Sequence, residues 1–140
     1  MIKTGFIGQH EHSLDEKGRV SIPSRYKKYI EEITVDPDKR NAVVLSKSKD
    51  KCIEVFAPEK WEQMMGKYEQ NTSLEEENRD LKYMRSKLSN TDYANVDKSG
   101  RIIIPQFLKD YAGIRKNVVF AGIGDRFEIW DKKTFDDNNK

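Results

Sequence analysis

Short apolar runs bounded by polar residues recur along the chain, and they come in two pairs. The first pair is NAVVLS at 41–46 and CIEVF at 52–56, and the second is NVVFAG at 117–122 and RFEIW at 126–130. Runs of this length that are rich in valine, isoleucine and phenylalanine are typical of buried strands. Because only a few residues separate the members of a pair, each pair predicts a β-hairpin.

Other segments carry apolar residues at the spacing of one helical face. SRYKKYIEEI at 24–33 and QFLKDYAGI at 106–114 each follow a proline, which suits the first position of a helix. Gly113 suits a C-terminal cap. APEKWEQMMGKY at 57–68 has its large apolar residues at i, i+3, i+4 and i+7, and DKKTFDDNNK at 131–140 begins in the same way. The pattern therefore predicts a short helix before each hairpin and a helix start after it.

One ten-residue phrase occurs twice, as LDEKGRVSIP at 14–23 and as VDKSGRIIIP at 96–105. The two phrases share an aspartate, a glycine, an arginine and a proline at places 82 positions apart. An internal repeat constrains the architecture before any other feature. We predict two modules, residues 5–66 and 91–140, joined by a connecting helix over 67–90. Two such copies can pack around a pseudo-twofold axis and share one core.

The segment between the modules has a thin apolar stripe among charged residues. Leu74, Leu81, Met84 and Leu88 are spaced as one face of a helix. The stripe predicts a connecting helix with one buried face, and a solvated linker helix is favoured over a helix that binds a partner.

Composition limits these predictions without identifying a partner. The hydrophobic and charged fractions are both 36%, which leaves limited capacity to build a core, so oligomerisation would help to stabilise the chain. Net charge is only +2, so a nucleic-acid partner must be argued from where the basic residues lie. No apolar run approaches about 18 residues and no signal peptide is visible, which favours a soluble, cytosolic protein.

The repeated phrase has the chemistry of a tight turn between two strands. Asp15 and Asp97 can accept hydrogen bonds from backbone N–H groups ahead of them, and Gly18 and Gly100 can adopt positive φ. Each turn then carries a basic tip, formed by Lys17 with Arg19 and by Lys98 with Arg101. Such a tip on a β-ribbon is suited to contact phosphate or a DNA groove. A solvated hairpin whose aspartate and arginine pair with each other explains the same residues equally well.

At this point the sequence resembles a known family. The phrase LDEKGRVSIP is similar to the AbrB/SpoVT swapped-hairpin module, and two such modules in one chain resemble the MraZ family. The stretch VVFAGIGDRFEIWD at 118–131 supports the resemblance. It implies a β-rich α+β fold in which two swapped-hairpin modules form a pseudo-twofold β-barrel. It also implies a nucleoid-associated DNA-binding regulator of bacterial division and cell-wall genes, assembled as a closed ring on repeated promoter sites.

The resemblance carries a set of site residues onto this chain. The Asp-x-x-x-Arg element matches Asp15 with Arg19, and Asp97 with Arg101. Basic residues after the proline match Lys27 and Lys28 in the first copy, whereas the second has Lys109 followed by Asp110, so the copies need not contact DNA equally. The implied DNA-binding residues are Lys17, Arg19, Lys27, Lys28, Lys98, Arg101 and Lys109, with Asp15, Gly18, Asp97 and Gly100 organising the turns. No cofactor, metal, membrane or small-molecule substrate is implied.

Other kinds of site are weaker. His10 and His12 could bind a metal as a His-x-His pair, but no third ligand lies near them in sequence. Cys52 is the single cysteine and has no histidine at a recognisable catalytic spacing. GIGDR at 122–126 lies between two strands, which is a poor context for a phosphate loop. We therefore do not expect an enzyme, and the alternative function is an AbrB-like protein-interaction module of the antitoxin type.

Overall fold

The computed structural model describes residues 5–70 and 74–139. In these residues the chain forms eight strands and five α-helices. The strands are β1 Gln9–Ser13, β2 Arg19–Ser21, β3 Ala42–Lys47, β4 Ile53–Phe56, β5 Thr91–Asn95, β6 Arg101–Ile103, β7 Asn117–Gly122 and β8 Phe127–Asp131. The helices are α1 Ser24–Ile33, α2 Pro58–Gly66, α3 Leu74–Leu88, α4 Gln106–Ala112 and α5 Lys132–Asn138, and short 3-10 segments occupy Pro37–Lys39 and Lys67–Gln70.

These elements fall where the apolar pattern predicts them. Strands β3 and β4 form the first predicted hairpin, and β7 and β8 form the second. Helix α4 ends at Ala112 because Gly113 takes a left-handed conformation with a φ of 67°. Pro23 and Pro105 lie one position earlier than predicted, since each is the N-cap residue of its helix rather than the first helical residue.

Six of the strands form one antiparallel sheet in the order β1-β7-β8-β4-β3-β5. The hairpins of the two copies lie in the middle and are joined by the pairing of β4 with β8. The leading strand of each copy pairs with the hairpin of the other copy, because β1 lies beside β7 and β5 lies beside β3. Neither copy completes its part of the sheet alone, which gives a structural reason for the doubled sequence.

The strand register relates the two copies by a pseudo-twofold axis. In the middle of the sheet, Glu54 lies opposite Glu128, its counterpart in the repeat. The remaining strands, β2 and β6, pair with each other, and Val20 lies opposite its counterpart Ile102. A residue that faces its own counterpart across an antiparallel pair is the signature of an isologous contact.

The sheet is open, and the expected β-barrel is not formed. Strands β1 and β5 are its two edges, while β2 and β6 form a separate two-stranded ribbon. The chain turns sharply after β1 and after β5, and the three-residue strands that follow pair with each other instead of extending the sheet. The fold is a mixed α+β structure with an antiparallel sheet.

The two faces of the sheet are covered by different elements. Along β7, Val118 and Phe120 belong to the larger core, whereas Val119 and Ala121 belong to a core on the opposite face. The larger core is covered by the ribbon and by helices α1 and α4, which contribute Val20, Ile102, Tyr26 and Leu108. The opposite face is covered by α2 and α5, through Trp61 and Phe135. The ribbon therefore lies on the far side of the sheet from α2 and α5.

The connecting segment contains helix α3, but none of the described side chains of its predicted apolar stripe is fully buried. Leu81 is 48% exposed, Leu88 is 43% exposed and Met84 is half-buried, while the Leu74 side chain lies outside the described part of the chain. The helix is joined to the sheet by a charge instead, because Lys87 Nζ lies 2.8 Å from Glu54 Oε1 and 3.1 Å from the carbonyl oxygen of Lys47. None of the helices in the described residues has the length and apolar character that a membrane span requires.

Candidate nucleic-acid interface

The ribbon formed by β2 and β6 has a buried inner side and an exposed outer side. Val20 and Ile102 are each only 1% exposed and pack in the larger core. Because successive strand residues alternate between sides, their neighbours point outward. The outer side carries two cross-strand pairs, in which Arg19 lies opposite Ile103 and Ser21 lies opposite Arg101. The two arginines of the repeat therefore share one surface, which we call the ribbon face and define by these four residues.

The first turn is organised around one carboxylate. Asp15 Oδ1 accepts hydrogen bonds from the backbone N–H groups of Lys17 and Arg19, both at 2.9 Å. Asp15 Oδ2 accepts a hydrogen bond of 2.7 Å from Arg19 Nε. The carboxylate thus fixes the backbone of the turn and the direction of the arginine side chain together.

The second turn repeats this geometry. Asp97 Oδ1 accepts from the backbone N–H groups of Ser99 and Arg101, both at 2.9 Å, and Oδ2 accepts from Arg101 Nε at 3.1 Å. Arg101 Nη1 also lies 4.0 Å from Asp15 Oδ2, so the charges of the two turns are adjacent. The aspartate–arginine pairing that the sequence left as an alternative to DNA contact is therefore present in both copies.

That pairing engages only part of each guanidinium. An arginine side chain has N–H donors on Nε and on both terminal nitrogens, and the aspartate bonds use Nε alone. Within the described part of the chain, the terminal nitrogens of Arg19 and Arg101 make no hydrogen bond. The pairing thus holds each side chain in place and leaves its terminal donors for another acceptor.

The same contacts keep both carboxyl groups ionised. The hydrogen bond from the Arg19 backbone is the largest cause that lowers the pKa of Asp15 below its usual value of 3.8, and the Arg101 backbone has the same effect on the pKa of Asp97. A carboxylate that accepts several hydrogen bonds is stabilised in its charged form. Both turns therefore carry an ionised pair at neutral pH.

Each turn also lies beside a lysine of the other copy. Gly18 and Gly100 have φ values of 77° and 79°, a conformation that disfavours other residues. A Cβ atom added to Gly18 would lie 3.6 Å from Lys109 Nζ, and one added to Gly100 would lie 3.3 Å from Lys27 Cδ. The strand exchange therefore places the lysine of each short helix against the turn of the opposite module.

Two basic clusters result, and each combines residues of both copies. The first basic cluster is Lys17, Arg19 and Lys109, and the second basic cluster is Lys98, Arg101 and Lys27. The turn-tip lysines, Lys17 and Lys98, are exposed. Lys27 Nζ pairs with Glu31 Oε1 at 2.9 Å, which directs part of its charge along α1. Lys28 follows Lys27 on α1 and is exposed.

One basic residue near the ribbon, Arg25, was not predicted from the sequence as part of the site. A depression of about 500 Å³ beside the ribbon is lined by residues of three elements and a turn, among them His12, Ser21, Arg25 and Ser99. Arg25 is exposed, and it brings a further positive charge from the start of α1 to the edge of the second turn. The sequence could have indicated Arg25, because it lies two residues after a proline at the start of the short helix. Its counterpart in the repeat is Phe107, so a comparison of the two copies does not indicate it.

The histidines and the cysteine have packing contacts. His12 Nδ1 lies 2.7 Å from the carbonyl oxygen of Ser21, and the His10 ring meets the edge of Tyr26 at 5.1 Å between centroids. No group of three or more metal-ligating side chains occurs within the described residues. Cys52 is fully buried, and this burial raises the pKa of its thiol, so the reactive thiolate is disfavoured.

Comparison with known proteins identifies the family. A family model described as "MraZ protein, putative antitoxin-like" matches residues 6–83 and again 88–139. A protein of Acetivibrio thermocellus named Transcriptional regulator MraZ is 34% identical over 94% of this chain and 84% of its own length. Proteins of the same name from Syntrophobacter fumaroxidans and Mycoplasmoides gallisepticum are 34% and 33% identical over 97% and 96% of this chain, and over 85% and 87% of their own lengths.

The class is therefore that of bacterial proteins with two copies of one module in a single chain, whose relatives are named as transcriptional regulators. The chain belongs to the MraZ family. This confirms the resemblance that the doubled phrase indicated, and the double match of the family model fits the two-module architecture.

Proposed function

We propose that this protein binds double-stranded promoter DNA through the ribbon face and the two basic clusters. The observation that supports the proposal is the position of Arg19 and Arg101 on the outer side of the ribbon, where both are half-buried and each donates a hydrogen bond to an aspartate through Nε. Four lysines, two from each module, flank them. The relatives' name, Transcriptional regulator MraZ, is consistent with a DNA ligand.

The geometry suits different DNA contacts for the arginines and the lysines. Arginine can donate two parallel hydrogen bonds to O6 and N7 of guanine, or to a phosphate, and a two-stranded ribbon fits the major groove. Lys17, Lys98, Lys27 and Lys109 are suited to phosphate contacts, which set affinity and position but not sequence. Asp15 and Asp97 organise the turns and orient the arginines, since a carboxylate in contact with phosphate would be repelled.

We further propose that the protein acts as a homo-oligomer, with a ring as the expected form, on repeated promoter sites of division and cell-wall genes. With a net charge of +2 the chain has little non-specific attraction for DNA, so one copy should bind weakly. Linked copies on linked sites gain affinity through effective concentration. The exchange of leading strands fits a swapped-hairpin pair fused into one chain, in which each basic cluster is completed by the other module.

An antitoxin-type interaction module is the second candidate, and the words "antitoxin-like" in the family description favour it. In that case the protein would act by binding a protein partner, and its affinity for DNA would not depend on the ribbon face. Dependence of promoter binding on the two arginines therefore separates the two functions.

The test is titration of a labelled duplex from the region upstream of the protein's own gene, with fluorescence anisotropy as the readout. Arg19→Ala and Arg101→Ala should each weaken binding by roughly 1–3 kcal/mol, about 5- to 150-fold, if a base edge is read. Stability should change by less than about 1 kcal/mol, because ion pairs that solvent still reaches contribute little. Lys133→Gln, on α5 at the opposite face of the sheet, is the matched charge control and should bind like the wild type. Equal binding by all four proteins would contradict the proposal.

A further inference from the structure

The ribbon face is not chemically symmetric, although the backbone beneath it is. Arg19 and Arg101 are counterparts in the repeat, but the other two outward positions hold a serine, Ser21, and an isoleucine, Ile103. Ile103 is 62% exposed, and it lies directly opposite Arg19. One apolar side chain therefore projects from the ribbon face, where the other three residues are charged or polar.

The exposure of Ile103 is not a consequence of strand packing. The core requirement of β6 is met by Ile102 and Ile104, each 1% exposed, which face inward on either side of it. A serine at the counterpart position on β2 supports an equivalent strand, so the fold does not require a large apolar residue there. A cross-strand neighbour lies about 5 Å from Arg19, within reach of whatever that arginine contacts.

Only one apolar group is displayed on the base edges of the major groove, and it is the C5 methyl of thymine. A surface that holds two guanidinium groups for hydrogen bonding and one isoleucine next to both is matched by guanine or phosphate acceptors with a thymine methyl close by. Ser21 can donate to or accept from either kind of base edge, so the two halves of the ribbon face read different chemistry.

We infer that Ile103 contacts the C5 methyl of a thymine in the bound site and so contributes to sequence specificity. This inference rests on the proposed DNA-binding function. It adds a residue outside the basic set and a specific chemical group on the DNA. Because Ser21 occupies the counterpart position, one protein chain reads an asymmetric site, and an inverted repeat within that site is not its preferred target.

The experiment replaces each thymine of the bound duplex in turn by deoxyuridine, which lacks only the C5 methyl group. For the wild type, one replacement in a single-repeat duplex should weaken binding by about fourfold, the effect of one methyl group removed from apolar contact. Ile103→Ser gives β6 the residue that β2 carries at the counterpart position, and it should lose affinity for the thymine duplex while becoming insensitive to that replacement. Ile123→Ser, at an isoleucine 49% exposed outside the ribbon, is the control and should keep the wild-type pattern.

The outcomes are distinguishable. If wild type binds the duplex with arginine dependence but no deoxyuridine position matters, the methyl contact is excluded while the DNA-binding function stands. If the same position matters equally in Ile103→Ser, the methyl group acts through DNA shape or another residue, and the inference is wrong. If wild type does not bind the duplex at all, the proposed function itself fails. Should Ile103→Ser not fold, as judged by its circular dichroism, Ile103→Val replaces it. Its shorter side chain should reduce the effect of the same deoxyuridine, and an undiminished effect would show that the inference is wrong.

Discussion

At the scale of single residues, the two aspartates link backbone geometry to the display of charge. Asp15 accepts two backbone N–H groups through one oxygen and Arg19 Nε through the other. Asp97 does the same in the second turn. An arginine is a long, flexible side chain whose ordering costs entropy, so under the proposed function its fixation in the free protein would reduce the cost of binding DNA. The pairing of each arginine with an aspartate is thus compatible with the proposed DNA contact.

Substitution of Asp15 should separate its role as a hydrogen-bond acceptor in the turn from the role of its charge. Asn keeps an oxygen that accepts the two backbone N–H groups but loses the charge, whereas Ala loses both, so the free energy of unfolding should fall less for Asp15→Asn than for Asp15→Ala. Urea unfolding of the three proteins checks the order. Identical midpoints would show that the carboxylate has no structural role.

The same aspartates give the stability of the protein a predicted pH dependence. The pKa of Asp15 is lowered in the folded state, so the unfolded chain binds more protons in the acid range. The contribution is fully present above the unfolded value of 3.8 and is lost as pH falls through the lower folded value. Urea unfolding from about pH 7 to about pH 3 should therefore show the difference between wild type and Asp15→Asn shrinking as pH falls. A difference that grows toward low pH would contradict this assignment.

At the scale of elements, the short helices α1 and α4 deliver their lysines across the pseudo-twofold axis. Lys109 lies beside Gly18, and Lys27 lies beside Gly100. Each basic cluster therefore draws its arginine and its helical lysine from different modules. The helices differ in the next position, where α1 has Lys28 and α4 has Asp110, so the second cluster is flanked by more positive charge.

Salt titration of DNA binding tests this arrangement of lysines. Removing a lysine that contacts a phosphate should lower the slope of log K against log salt by about 0.9. We expect that reduction for Lys27→Gln and for Lys109→Gln, since the two residues occupy equivalent places. Lys133→Gln should leave the slope unchanged. Slopes equal to the wild type in the first two variants would place the short helices away from the DNA.

At the scale of the whole molecule, affinity should depend on how many copies reach one DNA segment together. Sites on one face of B-DNA recur every 10–10.5 bp or so, which sets the spacing that neighbouring ribbon faces could share. If Ile103 makes the proposed contact with thymine, the unlike residues Ser21 and Ile103 give each bound site a direction, which favours direct over inverted repeats.

Duplexes with one, two and three direct repeats test the whole-molecule prediction. Affinity should rise steeply with repeat number, because each added site is bound at high effective concentration. Inserting about 5 bp between repeats turns the next site to the opposite face of the helix and should abolish the gain. Inverting one repeat at constant spacing should also reduce the gain in affinity. If a single repeat binds as tightly as three, the multivalent mechanism does not hold.

The sequence by itself determined the local structure and the family. The hairpins, the short helices and the positive φ of Gly18 and Gly100 depend on neighbouring residues and on side-chain type, so apolar period and turn chemistry predict them. The doubled phrase also indicated the MraZ family, because Asp, Gly, Arg and Pro recur at the same spacing in both copies.

Tertiary structure decided which distant residues meet. The pairing of β1 with β7 and of β5 with β3 joins segments far apart in the chain, and no local pattern distinguishes this exchange from two self-contained modules or a closed barrel. The exposure of Leu81 and Leu88 follows from α3 being joined to the sheet through Lys87 rather than through its apolar stripe. The ribbon pairing alone places Arg19 beside Ile103 and both arginines on one face, because β2 and β6 together bury Val20 and Ile102 in the larger core and the alternate residues then point outward.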